Sequence, residues 1–260
     1  MKHPADEAGG AGSPPEVVRA LFPSDRLVLI EQYGRLLATD GVARGLIGPR
    51  EVPRIWDRHV VNCALLATAL PRDASVADVG SGAGLPGIVL ALARPDLQMT
   101  LIEPLLRRTT FLDEVVEALG LDNVVVRRER ADAVHGQQTF DVVTARAVAP
   151  LDRLLRWCMP LVTASGSLVA MKGDSAEDEI AAARPVLTEL GCGEPSIEVI
   201  TVPPADRATS RDSDHGPSPQ ARLVRVTWAD PARVSLPTSG GRGGSRIGHR
   251  RSARRRRGPA

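Results

Sequence analysis

The sequence predicts a doubly wound α/β fold: a mostly parallel sheet of seven strands with helices on both faces, preceded by a helical N-terminal region and followed by a disordered tail. Three observations carry this. From Ala74 onward, short apolar runs alternate with amphipathic stretches of helical period. No hairpin signal marks the repeated units, so their strands are expected to run parallel, joined by helices. The last two runs are joined instead by the polar "PPADRATSRDSDHGPSPQ", with no helix between them, and are expected to pair antiparallel around a long loop.

Taken in order, residues 1–14 are rich in Gly, Ala and Pro and are expected to be disordered. Residues 15–72 carry apolar side chains at helical spacing. "VVRALF" is followed by "RLVLIEQYGRLLA", with Leu27, Ile30, Tyr33 and Leu37 on one face, and then by "VPRIWDRHVVNCALLATAL". Ser24 and Asp25 stand where a helix cap belongs, and Pro49 and Pro53 where a new helix starts. This region is read as a helical appendage to a main domain at residues 73–230. There "SVADVG" is a buried strand and "LPGIVLALA" a helix closed by "RPD". "QMTLIE" is the second strand, and "RRTTFLDEVVEALG" a helix with Phe111, Leu112, Val115, Val116 and Leu119 inward. Strands "NVVVRR" and "FDVVTA", helix "LDRLLRWCMPLV", strand "GSLVAMKG" and helix "AEDEIAAARPVLTEL" follow, before the final strands "SIEVITV" and "ARLVRVTW".

Composition narrows the function classes. The 260 residues can bury one full core. The net charge is +2, yet the last 21 residues hold eight arginines and no acid, leaving −6 on the remainder. The tail, residues 231–260, is therefore expected to be disordered, either simply solvated or in electrostatic contact with nucleic acid. The longest apolar stretches, "CALLATAL" and "GIVLALA", fall far short of the ~18 residues a membrane span needs, and the first residues lack a signal peptide's apolar centre. A cytoplasmic monomer without membrane contact is expected. Cys63, Cys158 and Cys192 form no C-x-x-C pair and are read as small core residues, and the five histidines lack metal-ligand spacing, so no metal site is assigned.

The stretch "DVGSGAGLPG" carries the chemistry. "GAGLPG" matches G-x-G-x-x-G, but the first glycine after the strand is Gly80, offset from a dinucleotide fingerprint, and Pro86 removes an N–H that a pyrophosphate would use. A ligand without phosphate loses nothing by that. Gly80, Gly82 and Gly84 let the chain turn and let backbone approach a ligand, where any side chain is expected to collide with it. Glu103, ending the second strand, can accept both hydroxyls of a ribose, and Asp132, beyond the third, can accept from an adenine amino group. A turn, a ribose carboxylate and a base contact on successive strand ends describe S-adenosylmethionine. The reversed last strand likewise suits the class I methyltransferase variant of the fold rather than the dinucleotide-binding one.

Longer words point further. "PREVPRIWDRHVVNCALL", "DVGSGAGLPGIVLALARPDLQMTLIEPLLRRTTFLDEVVEALGLDNVVVRRERAD", "FDVVTARAVAPLDRLLRWCMPLV" and "GSLVAMKG" closely resemble the bacterial small-subunit ribosomal RNA guanine-N7 methyltransferases, the glucose-inhibited division protein B family, over roughly Asp25 to Trp228. The resemblance implies methylation, by S-adenosylmethionine, of N7 of one guanine in the decoding-region loop of 16S rRNA. It also implies cofactor contacts at Gly80, Leu85, Ala131, Asp132 and Arg146. The tail and the 205–220 loop lie outside what it interprets.

Guanine N7 carries a free lone pair in the neutral base, so no general base is required and no catalytic acid or base is assigned. Positioning is then the main contribution, a term worth ~7–11 kcal/mol at ideal geometry. With only seven aromatic residues in the chain, RNA contact falls to cations. Arg146 and Lys172, at the ends of the fourth and fifth strands, and Arg107 and Arg108, opening the helix after Glu103, are the candidates. His59 and Asn62 are weighed for the substrate side and set aside as packing residues. Methylation of a small molecule, a non-catalytic RNA-binding assembly factor and a dinucleotide oxidoreductase stand as rivals.

Overall fold

Central strands that are apolar at nearly every position need cover on both faces, and here they receive it. In the computed structural model, which describes residues 11–202 and 219–234, seven strands form one sheet in the order β3-β2-β1-β4-β5-β7-β6. They are β1 (Ser75–Val79), β2 (Gln98–Ile102), β3 (Val124–Arg127), β4 (Phe140–Arg146), β5 (Val162–Lys172), β6 (Ser196–Thr201) and β7 (Gln220–Val226). The first five pair in parallel, and β7 lies antiparallel between β5 and β6. The expected antiparallel ending is present. Strand order reverses at β1, whose neighbours are β2 and β4, so the crevice at the carboxyl ends of β1 and β4 is where such folds take ligands.

Alternation along each strand divides the interior in two. Val76, Leu101 and Val142 face one core, and Ala77, Val79, Ile102, Val143 and Ala145 face the other. The second core is closed by α6 (Ala131–Val134), α7 (Leu151–Cys158) and α8 (Ala176–Leu190). The first is closed by α4 (Gly87–Ala93), α5 (Leu106–Leu119) and the N-terminal helices α1 (Val17–Leu21), α2 (Leu27–Leu36) and α3 (Asn62–Leu66). Ile30, Tyr33 and Leu37 are fully buried there beside Ile88, Leu90 and Leu101. The region read as an appendage is thus part of the main core.

Several boundaries move for local reasons. Ser24 and Asp25 cap nothing: Ser24–Arg26 is a 3-10 turn running directly into α2. The helix after Pro49 starts as a 3-10 segment, Pro49–Arg54, and passes through a π-helical stretch, Ile55–Val61, before α3. Packed chain begins before Pro15, since Ala11 is buried and the Trp56 indole donates to the Gly12 carbonyl at 3.1 Å. α7 stops at Cys158 and β5 begins at Val162, four residues before the expected Gly166. Cys63 and Cys158 are buried, whereas Cys192 is only half-buried. Of the expected tail, Pro231–Arg233 forms a 3-10 turn; residues 235–260, and 203–218 of the polar connection, lie outside the described residues. No helix of the described residues is long and apolar enough to cross a membrane.

Candidate active site

The glycine turn leaves β1 at Val79 and is held from three sides. Gly80 N–H donates to the Ile102 carbonyl at 2.8 Å, and Gly82 N–H to Glu103 Oε2 at 3.1 Å. From the N-terminal region, the buried Tyr33 hydroxyl donates to the Ala83 carbonyl at 2.7 Å. Gly80 and Gly84 have φ of +71° and +93°, conformations that residues with a Cβ rarely adopt. A Cβ at Gly80 would stand 2.8 Å from Val148 of the loop after β4, and one at Gly84 2.5 Å from Ile88. At Gly82 the nearest atom would be 3.8 Å away. At Gly80 and Gly84 both the backbone and the neighbouring side chains exclude a Cβ, whereas at Gly82 the backbone, with φ of +61°, calls for glycine and no protein atom crowds the position.

The start of α4 answers the phosphate question. Leu85 N–H donates to Ser81 O, Gly87 N–H to Asp78 Oδ2 and Ile88 N–H to Gly84 O, while Pro86 has no N–H. A phosphate would find its donors already engaged.

Asp78, not among the residues singled out from the sequence, sits beneath this turn. It shares the parity of Val76 and so faces the N-terminal helices. The side chain is fully buried, and Oδ2 accepts from Ser81 Oγ at 2.7 Å and Gly87 N–H at 2.9 Å. Oδ1 has no partner among the described residues. Burial pushes the carboxyl up to about 6, against Ser81, Gly87 and Arg146, which favour the charged form; nearby Glu103 adds to the rise. The signal for it was an acid at the last inward position of β1.

Glu103 stands directly after β2, as expected, but is already engaged. Oε1 accepts from Leu105 N–H at 3.1 Å, Oε2 from Gly82 N–H at 3.1 Å and from Arg108 at 3.3 Å, and its side chain is 1% exposed. Arg108 is thus tied to Glu103, while Arg107, exposed beside it, makes no side-chain hydrogen bond or ion pair among the described residues. Ala131 and Asp132 open α6 beyond β3; Asp132 is exposed and paired with Arg130 at 3.2 Å.

Arg146 ends β4 on the same face as Asp78, and its guanidinium turns toward the N-terminal helices. Nη1 lies 3.1 Å from Cys63 Sγ, and Nη2 bonds His59 Nδ1. His59, set aside earlier, is buried and in turn meets Glu51 Oε2 at 3.0 Å. Sequence separation of 87 residues hides that contact from any local pattern. Lys172 requires a correction. Its Nζ donates to Glu179 Oε2 at 2.6 Å and to the Ala149 carbonyl at 2.8 Å with the side chain 8% exposed, so its charge is already paired and it braces the loop after β4 instead of standing free at the sheet edge.

The site therefore joins a turn whose helix-start N–H groups are taken, two buried carboxylates and one guanidinium at a single sheet edge, a set suited to a ligand with a cationic end and a diol. Comparison with known proteins gives the same direction. The family model described as rRNA small subunit methyltransferase G matches residues 10–203. A ribosomal RNA small subunit methyltransferase G of a Nocardioides species is 57% identical over 249 residues, covering 94% of this chain and 95% of that protein. The protein of the same name in Streptomyces coelicolor is 58% identical over 184 residues, covering 70% of this chain and 77% of its own length. This chain, with its glycine turn and strand-end residues inside the matched span, belongs to the rRNA small subunit methyltransferase G family.

Proposed function

We propose that this chain transfers a methyl group from S-adenosylmethionine to N7 of one guanine in 16S rRNA, as a cytoplasmic monomer. The observation that carries the reading is the pair of buried carboxylates, Asp78 and Glu103, flanking the open position at Gly82 on a turn whose helix start keeps no N–H for phosphate. Gly80, Gly82, Gly84 and Leu85 shape the turn around the cofactor, Glu103 takes its ribose, Ala131 and Asp132 its base, and Arg146 closes the crevice. Asp78 joins this set, because a buried carboxylate oxygen without a partner is matched by a ligand carrying a cation. When bound, S-adenosylmethionine supplies a methyl on a cationic sulfur, which a neutral purine nitrogen can take without losing a proton.

The chain's own task is to hold both reactants in line and keep competing nucleophiles out. The carboxylates of Asp78 and Glu103 would set a field that tolerates positive charge on either reactant. Arg107 and Arg108 are assigned to flanking phosphates. The test is incorporation of labelled methyl with three acceptors side by side: guanosine, naked 16S rRNA and small-subunit particles lacking the modification. Label in rRNA supports the reading; label in guanosine alone moves the substrate to small molecules; none with any acceptor overturns it.

A further inference from the structure

Arg146 occupies a position where a half-buried arginine ordinarily takes a carboxylate fork, and among the described residues it pairs with none. Its two terminal nitrogens meet a histidine ring nitrogen and a thiol. The carboxylate stands one step back, with Glu51 Oε2 at 3.0 Å from His59 Nε2. This order decides the tautomer. A carboxylate can only accept, so Nε2 carries the proton, and Nδ1 keeps the lone pair that accepts from Arg146.

The groups around the imidazole keep it in that form. Burial holds its pKa below the ordinary histidine value, and Arg146 and Arg58 act the same way, while Glu51 opposes them. Cys63, on α3, stays a thiol because burial raises its pKa against the pull of Arg146. Both partners of the guanidinium are therefore neutral. They fix its direction without cancelling its charge, which stays available at the sheet edge beside Asp78.

We propose that Glu51 and His59 are positioning residues, the first orienting the imidazole and the second aiming the Arg146 guanidinium at the bound reactants. This rests on the function proposed above. It also explains what the N-terminal helices contribute to the site: besides covering one sheet face, they carry the acceptor that sets a strand-end arginine.

The experiment uses the full chain and two independent measurements. In steady-state methylation of small-subunit particles, His59→Ala is expected to lower kcat/KM by about 100-fold, the scale of a misplaced reacting geometry. His59→Asn, whose carbonyl oxygen replaces the Nδ1 acceptor, recovers to within about tenfold of the wild type on the same scale and loses one proton from the acid limb of the pH profile. In an Arg146→Ala background, His59→Ala adds nothing. Equal loss in His59→Ala and His59→Asn, or additive losses of His59→Ala and Arg146→Ala, would overturn the proposal. The second measurement is the imidazole titration of His59 by NMR without cofactor or RNA. Arg146→Ala is expected to raise its pKa, and an unmoved titration would overturn the contact itself. An inactive wild-type chain would defeat the proposed function, while the titration would still decide this inference.

Discussion

Lys172→Met separates two accounts of one residue. Position alone, at the end of β5, suggested a phosphate contact, whereas the structure buries the ammonium against Glu179 and the Ala149 carbonyl. Methionine keeps the length and apolar body of the side chain and removes the charge. Breaking a buried pair on one side costs about 3–5 kcal/mol. Glu179 retains Leu151 N–H at 2.9 Å and Ser175 Oγ at 3.2 Å and is 23% exposed, which lowers the expectation to about 2–3 kcal/mol. At roughly 2–4 °C per kcal/mol for a chain of this size, the melting temperature should fall by about 4–12 °C. The loop carrying Val148 over Gly80 loosens with it. Thermal unfolding by circular dichroism reads the first effect. Binding to small-subunit particles across a salt series reads the alternative, because losing one phosphate contact reduces the salt slope by about one. The expected result is a lowered melting temperature with an unchanged slope. A melting temperature within about 1 °C of wild type, combined with the reduced slope, would refute the structural account.

Asp78 and Arg108 supply the other tests. The Asp78 carboxyl is raised by burial from 3.8 to about 6, so its contribution to stability is full below the unfolded value and is lost as pH rises through the folded one. That shift corresponds to about 3 kcal/mol at neutral pH, so Asp78→Asn should raise the melting temperature of the cofactor-free protein at pH 7.5 far more than at acid pH. The same variant should bind S-adenosylhomocysteine more weakly by calorimetry; a destabilised variant at pH 7.5 would contradict the reasoning. Of the three groups bonded to Glu103, two are backbone N–H groups and only Arg108 can swing away. Arg108→Ala should therefore tighten S-adenosylhomocysteine binding, by up to about fivefold if the pair is worth at most ~1 kcal/mol, and weaker binding would show that Arg108 helps hold the ligand.

How much was legible follows from which interactions are local. The strand and helix periods from Ala74 onward are set by neighbours in sequence, and α8 forms over the span its pattern marks. The reversed ending follows from a missing helix, but the insertion of β7 between β5 and β6 does not, because both placements satisfy the same alternation. In the N-terminal region, an amphipathic face announces burial without naming its partner, which is why Tyr33 could be placed on a helix face but not under the glycine turn. Strand parity sends Asp78 and Arg146 to one face, yet only the tertiary structure brings His59 to meet the arginine. Lys172 fails for the complementary reason. A strand-end position fixes where a side chain starts, and Glu179 seven residues later decides where it ends. Gly84 is legible as a turn residue, but its packing against Ile88 at the start of α4 is visible only in the structure.

The most direct test of the central claim is the position of the methyl. Small-subunit particles lacking the modification are incubated with the purified chain and S-adenosylmethionine, their 16S rRNA is reduced with borohydride and treated with aniline, and strand scission is mapped by primer extension. One cleavage is expected, at a single guanine of the decoding-region loop, dependent on both enzyme and cofactor, because methylation at N7, unlike methylation at the other atoms of guanine, opens the base to reduction and scission. Label in the rRNA without scission would place the methyl on another atom and contradict the mechanism of direct attack by N7.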